Sequence, residues 1–234
     1  MENEYTEIIP SFKKTIFNAS NVDLVKDYGE IAFDMFLKDG LLKDIPLINT
    51  ALGMKNTVLA IRDRHFIKKT MIFTQQMHDG TISKEKIEKH KRILESNQSK
   101  MEREMETVII YLDKHIHYIK NSILGNFYCA YIDDEQDFDW EDFELFADIL
   151  DRVSIYDLPE LKELCEQEVF TENDKYNSVS LSRLNGLGLV QYANGMVMGY
   201  ADDIDKEGAY GRRFLARISI IGKVFCEIGL KNIK

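Results

Sequence analysis

Five histidines, three cysteines and 40 carboxylates are the side chains from which a catalytic or metal site could be assembled. His65, His78 and His90 are isolated in the sequence, and His115 and His117 stand two apart on a predicted helix. That spacing turns them to different faces, whereas a bidentate helical pair needs a spacing near four. No metal ligation is expected, and the five read as partly exposed surface groups. The run Asp133-Asp134-Glu135-Gln136-Asp137-Phe138-Asp139 alternates oxygens as a calcium loop does. It lacks the central glycine, however, and the closing glutamate would fall on Glu144, inside a predicted helix. A solvated link with Asp139 as helix N-cap is the better reading. Cys129, Cys165 and Cys226 show no CxxC spacing and fall in apolar stretches, so they are expected as reduced core residues. There is no GxSxG and no GxxxxGK[ST], and Gly186 and Gly188 follow a predicted helix rather than open one, so they do not cradle a phosphate. These patterns predict no catalytic residue and no cofactor.

The elements that carry these residues are mainly helical. Apolar residues recur every three or four positions through the first 132 residues, where Pro10 and Pro46 are the only prolines. His78-Asp79-Gly80 ends a helix that starts near Thr57, Ser83 caps a polar helix through Leu94, and Ser96 to Ser99 turn into a long helix over about 100–131. An αα-hairpin follows. Beyond Asp133 the pattern predicts helices over 140–153, 154–167 and 178–186, the second with Pro159 in its first turn. Strand character comes last: Leu189 to Ala193 and Met196 to Tyr200 flank Asn194-Gly195, a strong hairpin signal, and Phe214 to Ile221 alternate before a final helix from Lys223 to Gly229. The fold class expected is mainly α, an N-terminal helical domain (1–132) with a long αα-hairpin, followed by a winged-helix-like α+β domain (138–234).

Charge divides the chain in the same place. The formal charge of −10 resolves into +6 over residues 55–92, −15 over 133–174 and +4 over 175–234. The basic segment reads as a solvated helical face that partly neutralises the acidic block, with an anion patch as the alternative. The acidic start and the absence of an apolar run long enough to span a bilayer predict a cytoplasmic protein. The stretch 40–54 reads as buried core around Pro46 rather than as a membrane anchor. The apolar positions of 101–131 read as an intramolecular core, with a homodimer seam as the alternative.

The segments SLSRLNGLGLV (180–190) and RISIIGKVFCEIGL (217–230) resemble the recognition helix and closing strand of winged-helix domains, the helix-turn-helix variant, over roughly residues 138–230. The segment IPLINTALGMKNTVLAIRDRHFIKK (45–69) is similar to helical proteins of bacteria and their prophages. The first resemblance implies either DNA reading or protein binding. For DNA, Ser178, Ser182, Arg183 and Asn185 would meet base edges while Arg212, Arg213 and Arg217 held phosphates. Asp202, Asp203, Asp205 and Glu207 share the loop with those cations and oppose that role. The expectation is therefore a non-catalytic adaptor of prokaryotic or prophage origin, in phage-host conflict, acting through a protein partner. A DNA-binding regulator and a peripheral membrane protein are the alternatives.

Overall fold

Residues 123–130 are all buried, although they include Gly125, Asn126 and Tyr128. A helix buried on every side belongs at the centre of a bundle, and that is where these residues lie. A computed structural model describes residues 2–18, 45–55, 61–133, 137–167, 171–172, 177–195 and 213–233. The chain divides into two compact units, Met1–Asp151 and Arg152–Asn232.

In the first unit, α1 (Glu2–Ile16), α2 (Pro46–Lys55), α3 (Ile61–Met77), α4 (Lys84–Ser96), α5 (Gln98–Lys114), α6 (Tyr118–Ile132) and α7 (Trp140–Arg152) surround a core that includes Phe12, Phe73, Met77, Phe127, Tyr128 and Phe143. The α3–α6 contact is the most extensive in this unit, and Gly125 permits it. A Cβ there would stand 2.9 Å from Gln76 Cβ and 3.3 Å from Phe73 O. The acidic-block helix α7 lays Phe143 and Phe146 against Tyr128 and Phe127 of α6, and Trp140 stacks on Phe143 with centroids 4.9 Å apart. Ile45, Leu47 and Ile48 are buried, which fits the core reading of that stretch, and no helix among the described residues is long and apolar enough to cross a membrane.

Local capping sets the boundaries. Ser83 Oγ accepts from Lys86 N at 3.3 Å to open α4. Asn97 then closes α4 with its backbone and opens α5 with its side chain, Oδ1 accepting from Lys100 N at 3.0 Å, so the hairpin turn is a single residue. Gly80, with φ +96°, follows α3 as the HDG pattern predicts. The expected continuous helix over 100–131 is corrected: α5 stops at Lys114 and α6 starts at Tyr118. Side chains take over from the helical ladder there. Lys69 Nζ donates to Asp113 O at 3.0 Å, and His115 turns inward to Asn121 Oδ1 at 3.2 Å.

In the second unit, Ser154 caps a 3-10 turn, Ile155–Asp157, that leads into α8 (Leu158–Gln167). Then follow β1 (Thr171–Glu172), α9 (Ser178–Gly186), β2 (Val190–Gly195), β3 (Arg213–Ile218) and α10 (Ile220–Val224), which continues as a π-helical turn over Phe225–Gly229. The sheet is antiparallel in the order β1-β3-β2, with Thr171 opposite Ala216 and Val190 opposite Ile218. Two expectations fail here. Asn194-Gly195 is not a tight turn: both residues extend β2, pairing with Phe214 and Arg213, because β3 supplies the partner strand. Residues 196–200 and the loop 202–211 lie outside the described residues. The last strand stops at Ile218 and the helix starts at Ile220 rather than Lys223, because Ser219 Oγ accepts from Gly222 N at 2.8 Å and caps it. Gly222 is required at that place, since a Cβ would lie 2.0 Å from Leu189 O.

Candidate functional site

Helix α9 begins where Asn177 Oδ1 accepts from Val179 N at 2.9 Å, while Asn177 N donates to Glu160 Oε1 of α8 at 2.9 Å. Leu181 and Leu184 are buried, and the helix ends at Leu187 and Gly188, the latter at φ +76°. This geometry fixes which side chains face outward.

The sequence-derived candidates separate sharply. Ser178 is exposed, and Ser182, also exposed, donates to Ser178 O at 2.8 Å and lies 3.5 Å from the Tyr192 hydroxyl on β2. Arg183 is not a free cation. Its Nε donates to Asp157 Oδ2 at 2.8 Å and its Nη2 to Asp157 Oδ1, a bidentate fork. Asp157 is 1% exposed and also accepts from Ser180 Oγ at 2.7 Å. Burial would raise the Asp157 carboxyl, but the hydrogen bonds from Arg183 and Ser180 outweigh it and hold it below the ordinary carboxylate range. The same pair raises the Arg183 guanidinium. Asn185 is likewise engaged, its Nδ2 donating to Val190 O at 2.8 Å, which joins the helix end to β2. Arg217 is exposed and forks onto Gln191 Oε1 at 3.2 and 3.0 Å. Arg213 opens β3 opposite Gly195, and Arg212 lies outside the described residues. Arg183 and Asn185 stay exposed although engaged, and beside them α9 and the adjoining 3-10 turn expose uncharged groups: Val179 at 58%, Tyr156 at 79%, Ser178 and Ser182.

The first unit holds two buried polar groups that the sequence reading did not single out. Glu104 accepts from His90 Nε2 at 2.8 Å, Tyr128 at 3.1 Å and Tyr131 at 3.1 Å, deep in the core. Burial first, then Glu104, pushes both tyrosine hydroxyls well up. A carboxylate at 104 among Met101, Met105 and Val108 was legible as an acid on an apolar face. Beside the α5–α6 break, His115 is 1% exposed, and burial followed by the nearby Lys120 lowers it to about 4. Lys69 and Lys120 are also buried, which lowers both, and Lys120 Nζ donates to Asp151 O at 2.8 Å. The expectation of surface histidines is thus corrected for His90 and His115, whose rings complete internal hydrogen bonds. Among the described residues no three His, Cys, Asp or Glu side chains gather as a metal site. The free cysteines Cys129 and Cys226 are buried, and burial raises both thiols.

No family model, no curated protein and no solved structure matches this chain. The basic segment 55–92 is largely answered by neighbours within its unit: Arg62 pairs with Asp113, Lys86 with Asp133, Lys91 with Glu88 at 3.5 Å, and Lys68 lies over the Tyr118 ring at 4.5 Å.

Proposed function

We propose that this chain is a non-catalytic interaction module that binds a protein partner through the outer face of α9 and the turn before α8. The observation that carries the reading is the engagement of Arg183 by Asp157, with Val179 and Tyr156 left exposed beside it. A helix meant for a major groove presents cations and amides to bases and phosphates. Here the cation is held against a carboxylate and the amide of Asn185 closes onto the strand, which leaves an exposed tyrosine and valine beside a neutralised arginine, and aromatic residues and arginine are enriched in protein interfaces. The order α8-β1-α9-β2-β3 supports reading this unit as winged-helix-like. On that reading the fold serves as a scaffold for a protein contact.

One observation favours the DNA reading: Arg217 is exposed on β3, on the strand that would border a wing. Titration of a labelled duplex, followed by fluorescence anisotropy at physiological salt, separates the two. The protein-binding module gives no saturable rise. A saturable rise that Arg217→Ala abolishes contradicts it.

A further inference from the structure

Between the end of α1 and one face of α4 lies a cavity of about 590 Å³ in the first unit. Its lining includes the buried Phe17 and Ile87 and the half-buried Pro46, with four lysines: Lys13 and Lys14 from α1, Lys84 and Lys91 from α4. The α4 residues recur at 84, 87, 88, 91 and 95, a single stripe of that helix. Two glutamates share the lining. Glu95 accepts from Lys13 at 3.4 Å, and Glu88 lies 3.5 Å from Lys91. Lys14 and Lys84 have no carboxylate partner among the described residues.

The charge is therefore specific in size. Among the described residues of the lining, four ammoniums against two carboxylates leave a surplus of two, carried by Lys14 and Lys84. A phosphomonoester carries between about −1.5 and −2 at neutral pH, which matches that surplus. Lys84 is also the first residue of a 13-residue helix, so the partial positive charge of the helix start adds to its own. The apolar part of the lining has no use for a bare inorganic ion, and the volume falls within the ~300–1,000 Å³ of small-molecule sites. We infer that this cavity binds a small organic phosphate, with the phosphate between Lys14 and Lys84 and a compact apolar body on Phe17, Pro46 and Ile87. The inference is independent of the role assigned to α9.

Phenyl phosphate is the minimal probe with both features, and titration of the full chain followed by NMR shifts at the Ile87 methyls and the Lys13–Phe17 amides reads it. Saturable shifts at millimolar concentration or below are expected. Inorganic phosphate should bind at least tenfold more weakly, and phenol should leave those signals in place. The double variant Lys14→Gln/Lys84→Gln should weaken phenyl phosphate at least tenfold with an unchanged melting curve, since both side chains are exposed and lack a carboxylate partner among the described residues, and Lys14→Arg/Lys84→Arg should restore binding. The absence of saturable shifts, equal binding by the glutamine variant, or inorganic phosphate binding as tightly as phenyl phosphate would each overturn the proposal.

Discussion

The guanidinium of Arg183 is committed to Asp157, and removing it strands a carboxylate that is 1% exposed. Arg183→Ala should therefore lower the stability of the second unit, because it leaves that buried carboxylate with Ser180 as its remaining side-chain partner among the described residues. Chemical denaturation followed by circular dichroism checks this; an unchanged midpoint would show that the pair is dispensable. Because the folded Asp157 carboxyl sits below its ordinary value, its contribution is present above the usual carboxylate range and is lost as pH falls through the folded value. His115 titrates in a different window. The folded chain holds it at about 4 against an ordinary 6.5, so the unfolded state takes up the proton first as pH falls. Its contribution is full above pH ~6.5 and is lost towards 4, by up to about 3 kcal/mol. His115→Gln should flatten that part of the stability curve measured by denaturant titration at a series of pH values. A slope identical in the variant would contradict the burial argument. His115 is visible in the sequence as one of a pair two apart, but its burial is not, and Asp157 is not marked at all. Asp157 is one acid among the seventeen of residues 133–174, and only the return of α9 past the 3-10 turn makes it the partner of Ser180 and Arg183.

At the scale of elements, most helix positions were legible because caps and apolar spacing agree: Ser83, Asn97, Ser154 and the glycines at 80 and 188 all end or start elements near where their types predict. The failures came where tertiary contacts outvote local signals. Asn194-Gly195 carries the strongest hairpin signature in the chain, yet pairing with β3 extends β2 through it. The stretch 100–131 keeps its apolar spacing across the break, and it is Lys69 and Asn121, remote in sequence or on the next helix, that terminate α5. Two glycines test the packing directly. Gly222→Ala forces a carbon onto Leu189 O and should unfold the second unit or lower its stability by at least ~3 kcal/mol, while Gly125→Ala, which pushes α3 from α6, should cost about 1–3 kcal/mol. Thermal unfolding of both variants checks the order; an alanine tolerated at 222 would show that β2, β3 and α10 meet differently.

For the molecule as a whole, the net charge of −10 conceals extensive internal compensation. Acids of α7 meet cations of α5, with Arg103 on Glu144 at 3.2 Å and Lys114 near Asp151 at 3.9 Å, and Asp133 answers Lys86. The charge segregation read along the sequence thus serves in part to hold the first unit together, which the linear pattern could suggest but not assign to partners. What remains outward on α9 is Val179, Ser178, Ser182 and the side chains of Arg183 and Asn185, the last two each engaged by a neighbour, with Tyr156 exposed on the preceding turn, and on this the proposed protein-binding role rests. A photo-crosslinking amino acid placed at position 179 of the full chain, in cells that express it, tests that claim most directly. The account predicts a discrete protein adduct, absent when the same group replaces exposed Ile93 on α4 and lost when Tyr156→Asp is added. Crosslinks to nucleic acid from position 179, or no adduct that differs from the control position, would contradict it.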